Sequence, residues 1–493
     1  MCVSLTRRRV LERGLAYTRC LAGATLLAAC RSRFVQVSPI VPVTRESTPV
    51  KVEPSKTPIS APTSTPEPDV SPPQPASPAP RTPRTIIADV SASSWTQFAR
   101  SRSDEFAQQY PETRIQWRNV LPWPTYFNRV AALQASGDPA DLLEAPFGVP
   151  LLHWTRMQII TPLDDVLRTQ SFPLDGIFPS AIQACSFAGQ MMGIPFFTDP
   201  GDALMLYHRP ALAAKQLTTP QADWTLTDLE KLATQAHQEE QGVYGLGLRT
   251  DMPGVNALLH LFGGSLLTTD GRRCAVTHQD SIQCLAWLQD MVHTLQGAPS
   301  PQSMVRGSLD MLHRGQICLL GGSLGDLAQV RRLSTSVQSD DSQPAENVAA
   351  TLFPAHPDTH RRASTTNGIA YCLGARSQVG DDVLSWIAFV TSVEAGVDLF
   401  LNDHAVPGAR SDAWRHPRVS EKEPIVGILA DVAEAAVIEP IPWNEWLSAC
   451  YESWNRHVNA LMERRSDPEM CAERICHDLR SILQRPLQAL VIP

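Results

Sequence analysis

The pattern of apolar and polar positions changes character near residue 85. Beyond that point, Ile86-Ile87-Ala88-Asp89-Val90 is a nearly continuous apolar run of strand length, the pattern of a strand covered on both faces. Small residues Ser91 to Ser94 follow it. Trp95 to Tyr110 then reads as a helix, and Ile115-Gln116-Trp117 lies in a second strand. Strands alternating with helices predict an α/β architecture. Further along, Leu285, Leu288, Val292 and Leu295 share one helical face, as do Val383, Ile387 and Val390. Thr391-Ser392-Val393-Glu394 has capping-box spacing and predicts the start of another helix. No internal repeat of about 20 to 50 residues is present, which argues against a solenoid.

Before residue 85 the texture is different. Fourteen of the 41 prolines fall between Pro39 and Arg84, among Ser and Thr and few large apolar residues. Such a stretch cannot bury enough surface to fold, and its prolines favour extended backbone. At about 3.1 Å per residue it would reach more than about 100 Å. Ahead of it, Arg7-Arg8-Arg9 precedes a short apolar run, Leu21 to Ala29, that ends in Leu27-Ala28-Ala29-Cys30. This looks like a bacterial lipoprotein signal, with Cys30 as the lipidated residue. Thr6-Arg7-Arg8-Arg9-Val10-Leu11 also resembles a twin-arginine export signal. The expectation is a signal peptide over 1–29, a lipidated tether over 30–84, and a globular part anchored outside the membrane.

Composition narrows the function. The 493 residues suffice for two cores, and 43% hydrophobic with 19% charged residues is a globular balance. A net charge of −8 argues against nucleic acid as a partner, since phosphate binding needs a basic surface. After the N-terminus no stretch of about 20 apolar residues suggests a membrane span. Eleven cysteines show no Cys-x-x-Cys spacing, so no zinc site or other cofactor is expected. Cys471 and Cys476 read as buried thiols, or as a disulfide in an oxidising compartment.

An ordered succession of motifs follows. Gly137-Asp138-Pro139-Ala140-Asp141-Leu142-Leu143 leads into a strand, then come Pro162-Leu163-Asp164-Asp165 and Gly189-Gln190-Met191-Met192-Gly193-Ile194-Pro195. Leu206-Tyr207-His208-Arg209, Trp224-Thr225-Leu226-Thr227-Asp228-Leu229 and Val243-Tyr244-Gly245-Leu246-Gly247 come next. Gly263-Gly264, Thr269-Asp270-Gly271 and Gly315-Gln316-Ile317-Cys318 running into Gly321-Gly322-Ser323 complete the series. Over about 85 to 450 this order resembles the extracellular solute-binding proteins of bacterial ABC importers, in the sugar-binding family that includes maltose-binding protein. The chain departs from the family pattern at Met192, where an aromatic is usual, and at His208-Arg209, where Asn-Lys is usual.

The resemblance implies a two-lobed α/β fold of the periplasmic-binding type. The first lobe would take 85–197 plus 354–403, and the second 198–353 plus 404–487. The chain would cross near Pro195-Phe196-Phe197, return near Leu352-Phe353-Pro354, and cross again near 400 to 407. A ligand, a sugar by this resemblance, would sit in the cleft of a monomer that delivers it to permease subunits. A pyranose offers an apolar face to an aromatic ring and a rim of hydroxyls to polar groups. The expected binding residues lie after strands or at the crossings: Trp95, Glu144, Phe147, Asp199, Tyr207, Ser323, Asn367 with its neighbours Thr366 and Gly368, Trp443 and Trp446.

Other chemistries are also legible. Gly321-Gly322-Ser323-Leu324-Gly325 fits the nucleophile elbow of serine hydrolases, with Asp381, Asp382 or Asp398 as acid and His404 or His416 as base. The same turn equally suits a binding protein, because a helix N-terminus donates free N–H groups. Asp164-Asp165 and Asp381-Asp382 are adjacent pairs that read as helix caps rather than as the facing carboxylates of a glycosidase. His356 and His360 have metal-ligand spacing, but Pro354, Pro357 and Asp358 predict a loop there. Polyamines, glycerol phosphates and metals remain alternative ligands of the same fold, with Glu144 and Asp199 as the carboxylates for a polyamine.

Overall fold

The computed structural model describes residues 83–487 except 171, 301–302, 304–306, 334–343, 363 and 403, all within one compact unit, Ser77–Pro493. The expected lipidation at Cys30, the export signal and the tether up to residue 82 lie outside the described residues.

Eleven strands are β1 Arg84–Ser91, β2 Thr113–Leu121, β3 Leu142–Pro146, β4 Ser186–Phe187, β5 Gln190–Met191, β6 Ile194–Gly201, β7 Leu204–His208, β8 Tyr244–Gly247, β9 Ile317–Gly322, β10 Val348–Leu352 and β11 Thr365–Leu373. Two larger sheets carry the architecture, one ordered β2-β1-β3-β11-β6 and one ordered β10-β7-β9-β8. In the first, β1 runs parallel to β2 and β3, while β11 is antiparallel to β3 and β6. The chain leaves the first sheet on β6 and enters the second on β7 after two residues, Asp202 and Ala203. It returns between β10 and β11. The α/β class is therefore as the hydrophobic pattern predicts, and the division into two larger sheets agrees with the two-lobed fold that the family resemblance implies.

The first sheet is covered on both faces, which explains the nearly continuous apolar run of β1. Ile86, Ala88 and Val90 face one core with Leu142, Tyr371 and Leu373. Leu143, Ala145, Ala370 and Cys372 face the other, beneath Tyr126 and Trp154. The alternation along β3 and β11 follows the period of two of a strand. In the second sheet, Met205 and Tyr207 point into one core and Leu204 and Leu206 into another.

Several local expectations are refined. The helix predicted from Trp95 to Tyr110 is two helices, Ser94–Ser101 and Ser103–Gln109, broken at Arg102. The cap near 391 is Ser392, whose hydroxyl accepts from the Ala395 N–H at 3.2 Å, one residue later than the capping-box spacing suggested. The segment 400 to 407, where a third crossing is expected, comprises the end of the helix Val393–Leu401 and the bends after it. The backbone comes alongside β11 later, at Val437, whose N–H donates to Ser364 O while its carbonyl accepts from the Thr366 N–H.

The cysteines also pair differently. Cys274 is bonded to Cys476 across 202 residues, and Cys471 is a buried free thiol. Cys471 and Cys476 lie five apart on the helix Pro468–Leu483, a spacing of about 140° around its axis, so their side chains diverge. Among the described residues no helix is long and apolar enough to cross a membrane.

Candidate functional site: a cleft between two sheets

A cleft of about 740 Å³ opens beside the crossing strands. Its floor is Thr366, Asn367 and Gly368 of β11 together with Ile438 and Glu439, which the pairing at Val437 holds against that strand. One wall is the turn after β3, including Phe147, and the start of the helix Val149–Arg156. The opposite wall is the turn Thr269–Arg272, the segment Pro440–Trp443 and Tyr451.

Two glycines make the walls fit. A side chain on Gly368 would meet the Phe197 carbonyl oxygen at 2.3 Å and the Phe147 ring at 2.6 Å. Gly271 has φ +65° and sits so close to the Ile441 carbonyl that a Cβ would lie 1.9 Å from its oxygen. Its own carbonyl accepts the Trp443 N–H at 3.1 Å, which fixes the aromatic wall.

Of the nine residues expected to bind ligand, three line this cleft: Phe147, Asn367 and Trp443. Asn367 is solvent-exposed on β11. Trp443 is partly committed elsewhere, because its Nε1 donates to Leu483 O at 2.8 Å and the Arg272 guanidinium lies 5.2 Å from its ring centre. One face of that indole is therefore already stacked.

The other six lie elsewhere. Trp446 is turned to the C-terminal segment, donating to Pro486 O at 2.9 Å with Arg485 over its ring. Tyr207 is a core residue, because the alternation of β7 points it between the sheet and its covering helices. Glu144 is fully buried beneath the first sheet's end and accepts from Ser91 Oγ at 2.6 Å, Trp95 Nε1 at 3.0 Å and Thr96 Oγ1 at 3.1 Å. Trp95 thus serves that carboxylate and packs edge-on against Phe197. Burial pushes the Glu144 carboxyl up to about 7, against the lowering effect of its three donors.

Asp199 and Ser323 meet at the crossing. The Ser323 N–H donates to Asp326 Oδ2 at 3.0 Å, and the Ser323 hydroxyl accepts the Asp326 N–H at 3.3 Å, a reciprocal cap on the helix Leu324–Leu333. Asp199 lies against the same helix start and is held up to about 7 by burial, with the Ser323 hydroxyl opposing. Asp202 is likewise pushed up to about 7 by burial, with Arg249 at 3.4 Å opposing. The Gly-Gly-Ser turn therefore joins the two sheets through a cap. The Ser323 hydroxyl is engaged by the Asp326 N–H; His416 caps its own helix and the His404 ring packs edge-on against Phe98. His356 and His360 occupy a loop, and no group of three metal-binding side chains occurs among the described residues.

The residues that sequence reasoning missed form a clasp beside the cleft. His153 Nδ1 lies 2.7 Å from Glu445 Oε2, and Arg156 donates to Glu445 Oε1 at 2.6 Å. His153 and Arg156 project from the helix after β3, whereas Glu445 follows Trp443 on the opposite wall. Glu445 is only 3% exposed and holds φ +67°, an uncommon backbone state for this residue type. The available signal was the i, i+3 spacing of two basic residues on one helical face. The same search missed Glu439, which lines the cleft and meets His260 Nε2 at 3.1 Å.

Two sheets exchanging strands at a floor, with a cleft above and long helices outside, match a recurrent set of solved structures. The chain has the fold of ABC-transporter solute-binding proteins. The ABC substrate-binding protein from Listeria monocytogenes in complex with cycloalternan aligns over 81% of this chain and 99% of its own, with TM-score 0.64 and 15% identity. An ABC transporter solute-binding protein from Agrobacterium radiobacter K84 in complex with ribitol aligns over 82% and 100%, with TM-score 0.61 and 14% identity. UgpB from Mycobacterium tuberculosis in complex with glycerophosphocholine aligns over 82% and 99%, with TM-score 0.63 and 16% identity. No protein-family model matches the sequence, and no curated protein sequence matches it. At these identities the solute-binding fold is what is shared. Met192 is buried under the first sheet, and His208 is the N-cap that accepts the Ala211 N–H at 3.1 Å.

Proposed function

We propose that this chain is the solute receptor of an ABC importer, capturing a carbohydrate or related small polar solute in the cleft and passing it to permease subunits. The observation that carries this reading is the 740 Å³ cleft itself, walled by Phe147 after β3 on one side and by Trp443 and Tyr451, which pack on the core of the second sheet, on the other, and floored by β11. The first lobe is built on β1 to β6 and β11, the second on β7 to β10 and the C-terminal helices. A ligand touching both walls binds the closed form better than the open one, and that difference drives closure. The importer reads closure as the sign of cargo.

The receptor works outside the cell, held by lipid on Cys30 at the end of a Pro-rich tether and acting as a monomer. The disulfide supports an oxidising location. The serine-hydrolase alternative has its Ser323 turned to the carboxylates Asp326 and Asp199.

The test is thermal melting of the purified chain against maltose, ribitol, glycerophosphocholine and putrescine. A ligand at about 100 times its dissociation constant stabilises the fold by about 2.7 kcal/mol, a clear shift. Flat melting curves for all four, together with esterase activity lost in Ser323→Ala, would replace the receptor reading with the hydrolase one.

A further inference from the structure

The segment 440–446, whose Ile441 and Trp443 line the cleft, is held by two elements far apart in the chain. The first is the turn 268–273. The Gly271 carbonyl accepts the Trp443 N–H at 3.1 Å, Gly271 leaves no room for a Cβ beside Ile441, and the Arg272 guanidinium lies over the Trp443 ring. The second is the end of the helix Pro468–Leu483 with the residues after it. The Leu483 carbonyl accepts from Trp443 Nε1 at 2.8 Å, and Asn444 Nδ2 donates to the Ile482 and Arg485 carbonyls at 2.8 and 3.1 Å. The disulfide joins these same two elements. Cys274 closes the turn opposite Leu267, and Cys476 lies about two helical turns, about 10 Å, before Leu483. Turn, wall and helix end thus form one ring, and the disulfide is the covalent link that closes it.

We propose that the Cys274–Cys476 disulfide is the positioning crosslink of this cleft wall, and that a dithiol which reduces it frees segment 440–446 and weakens solute capture. The consequence for capture rests on the receptor reading above; the crosslink itself does not. The turn depends on such a link. Thr269, Asp270, Arg272 and Arg273 are all exposed, so it has little core of its own, and segments of that kind open locally at small free-energy cost. The helix, by contrast, is anchored along its length by buried Cys471, Ile475, Leu479 and Ile482. The disulfide passes that rigidity to the turn, and through Gly271 to the Trp443 N–H. The bond is within reach of a reductant, because Cys274 is only half-buried. A thiolate of the dithiol attacks the Cys274 sulfur, forming a mixed disulfide and releasing Cys476 as a thiolate that takes up a proton. The second thiolate of the reductant then attacks its own sulfur in the mixed disulfide and releases Cys274. Two electrons and two protons have passed to the two cysteines, and the reductant ends as a cyclic disulfide. Among the described residues this is the only disulfide, so reduction acts at one place.

The experiment is hydrogen–deuterium exchange of the purified chain, read by mass spectrometry at short labelling times, when only local openings contribute. Oxidised protein is compared with protein treated with dithiothreitol and with the double variant Cys274→Ser/Cys476→Ser; the treated wild type carries the comparison if the variant misfolds. Without the disulfide, exchange in 267–274 and 440–447 should rise about tenfold or more, while the helix Gln279–His293 and the first sheet keep their protection. Equal protection of 440–447 in oxidised and reduced protein overturns the proposal. So does a rise no greater there than in the helix Gln279–His293, which would make the bond a general staple of the second lobe. Calorimetric titration with maltose, ribitol and glycerophosphocholine reads the consequence for capture. Whichever of them binds the oxidised protein should bind the reduced protein about tenfold more weakly, because a loose wall must be ordered on binding. Unchanged affinity overturns the control of capture and leaves the receptor intact. Binding of none of the three by the oxidised protein removes the receptor reading, whereas the crosslink stands or falls on the exchange result.

Discussion

At the scale of single residues, three tryptophans near the cleft do different work. Trp443 lines the cleft and at the same time tethers the end of the last helix through Leu483 O. Trp443→Ala should therefore weaken ligand binding by about 1–3 kcal/mol and also lower stability, since a partly buried hydrogen bond of about 1 kcal/mol is lost with the ring. Trp446, equally prominent in the sequence, binds only the C-terminal segment. Trp446→Phe should leave affinity unchanged in the same titration and lower only the melting temperature. Trp95 belongs to neither class, because its indole N–H serves the buried Glu144. From sequence the three looked alike, as loop aromatics; what separates them is which acceptor each indole N–H finds, and those acceptors are 40 or more positions away.

At the scale of elements, two devices join parts distant in sequence. The clasp links the helix Val149–Arg156 to the Pro440–Trp446 segment through Glu445. Glu445→Gln removes a buried carboxylate that His153 and Arg156 share, and should disfavour closure by about 3 kcal/mol. A larger radius of gyration by small-angle scattering, without loss of helix content, is the expected signature; an unchanged radius would make the clasp a rim contact only. The second device is the disulfide, which fastens the last long helix beside the turn that carries Gly271. In the chain-entropy account, closing a loop of 202 residues stabilises by on the order of 5 kcal/mol. Cys476→Ser, or a strong reductant, should lower the melting temperature sharply. Cys471→Ser should lower it much less, and Cys471 should remain unreactive to thiol reagents in the native state because it is buried.

At the scale of the whole molecule, three buried carboxyls set the response to pH. Glu144, Asp199 and Asp202 are each pushed up to about 7, with burial as the largest cause. In the unfolded chain they ionise near the usual carboxylate range of about 4. Between about pH 4 and pH 7 the folded form thus binds more protons than the unfolded one, and stability from these groups falls as pH rises. Melting temperature should be lower at pH 8 than at pH 5. Glu144→Gln, which keeps the shape and removes the titration, should flatten that slope. A slope of opposite sign, or one unaffected by the substitution, would show that other groups dominate. The sequence by itself determined the α/β class, the early strands and the elbow turn at Ser323, because strand periodicity and turn chemistry act over a few residues. Its ordered motifs also pointed to the solute-binding fold, through a resemblance that spacing preserves when identity is low. Only the tertiary structure decided which polar residues share a space: that Glu144 and Tyr207 are buried, that Cys476 pairs with Cys274, and that Glu439 lies at the cleft and Glu445 in its clasp. Those outcomes depend on contacts between segments up to about 300 residues apart, where neither propensity nor local spacing carries information.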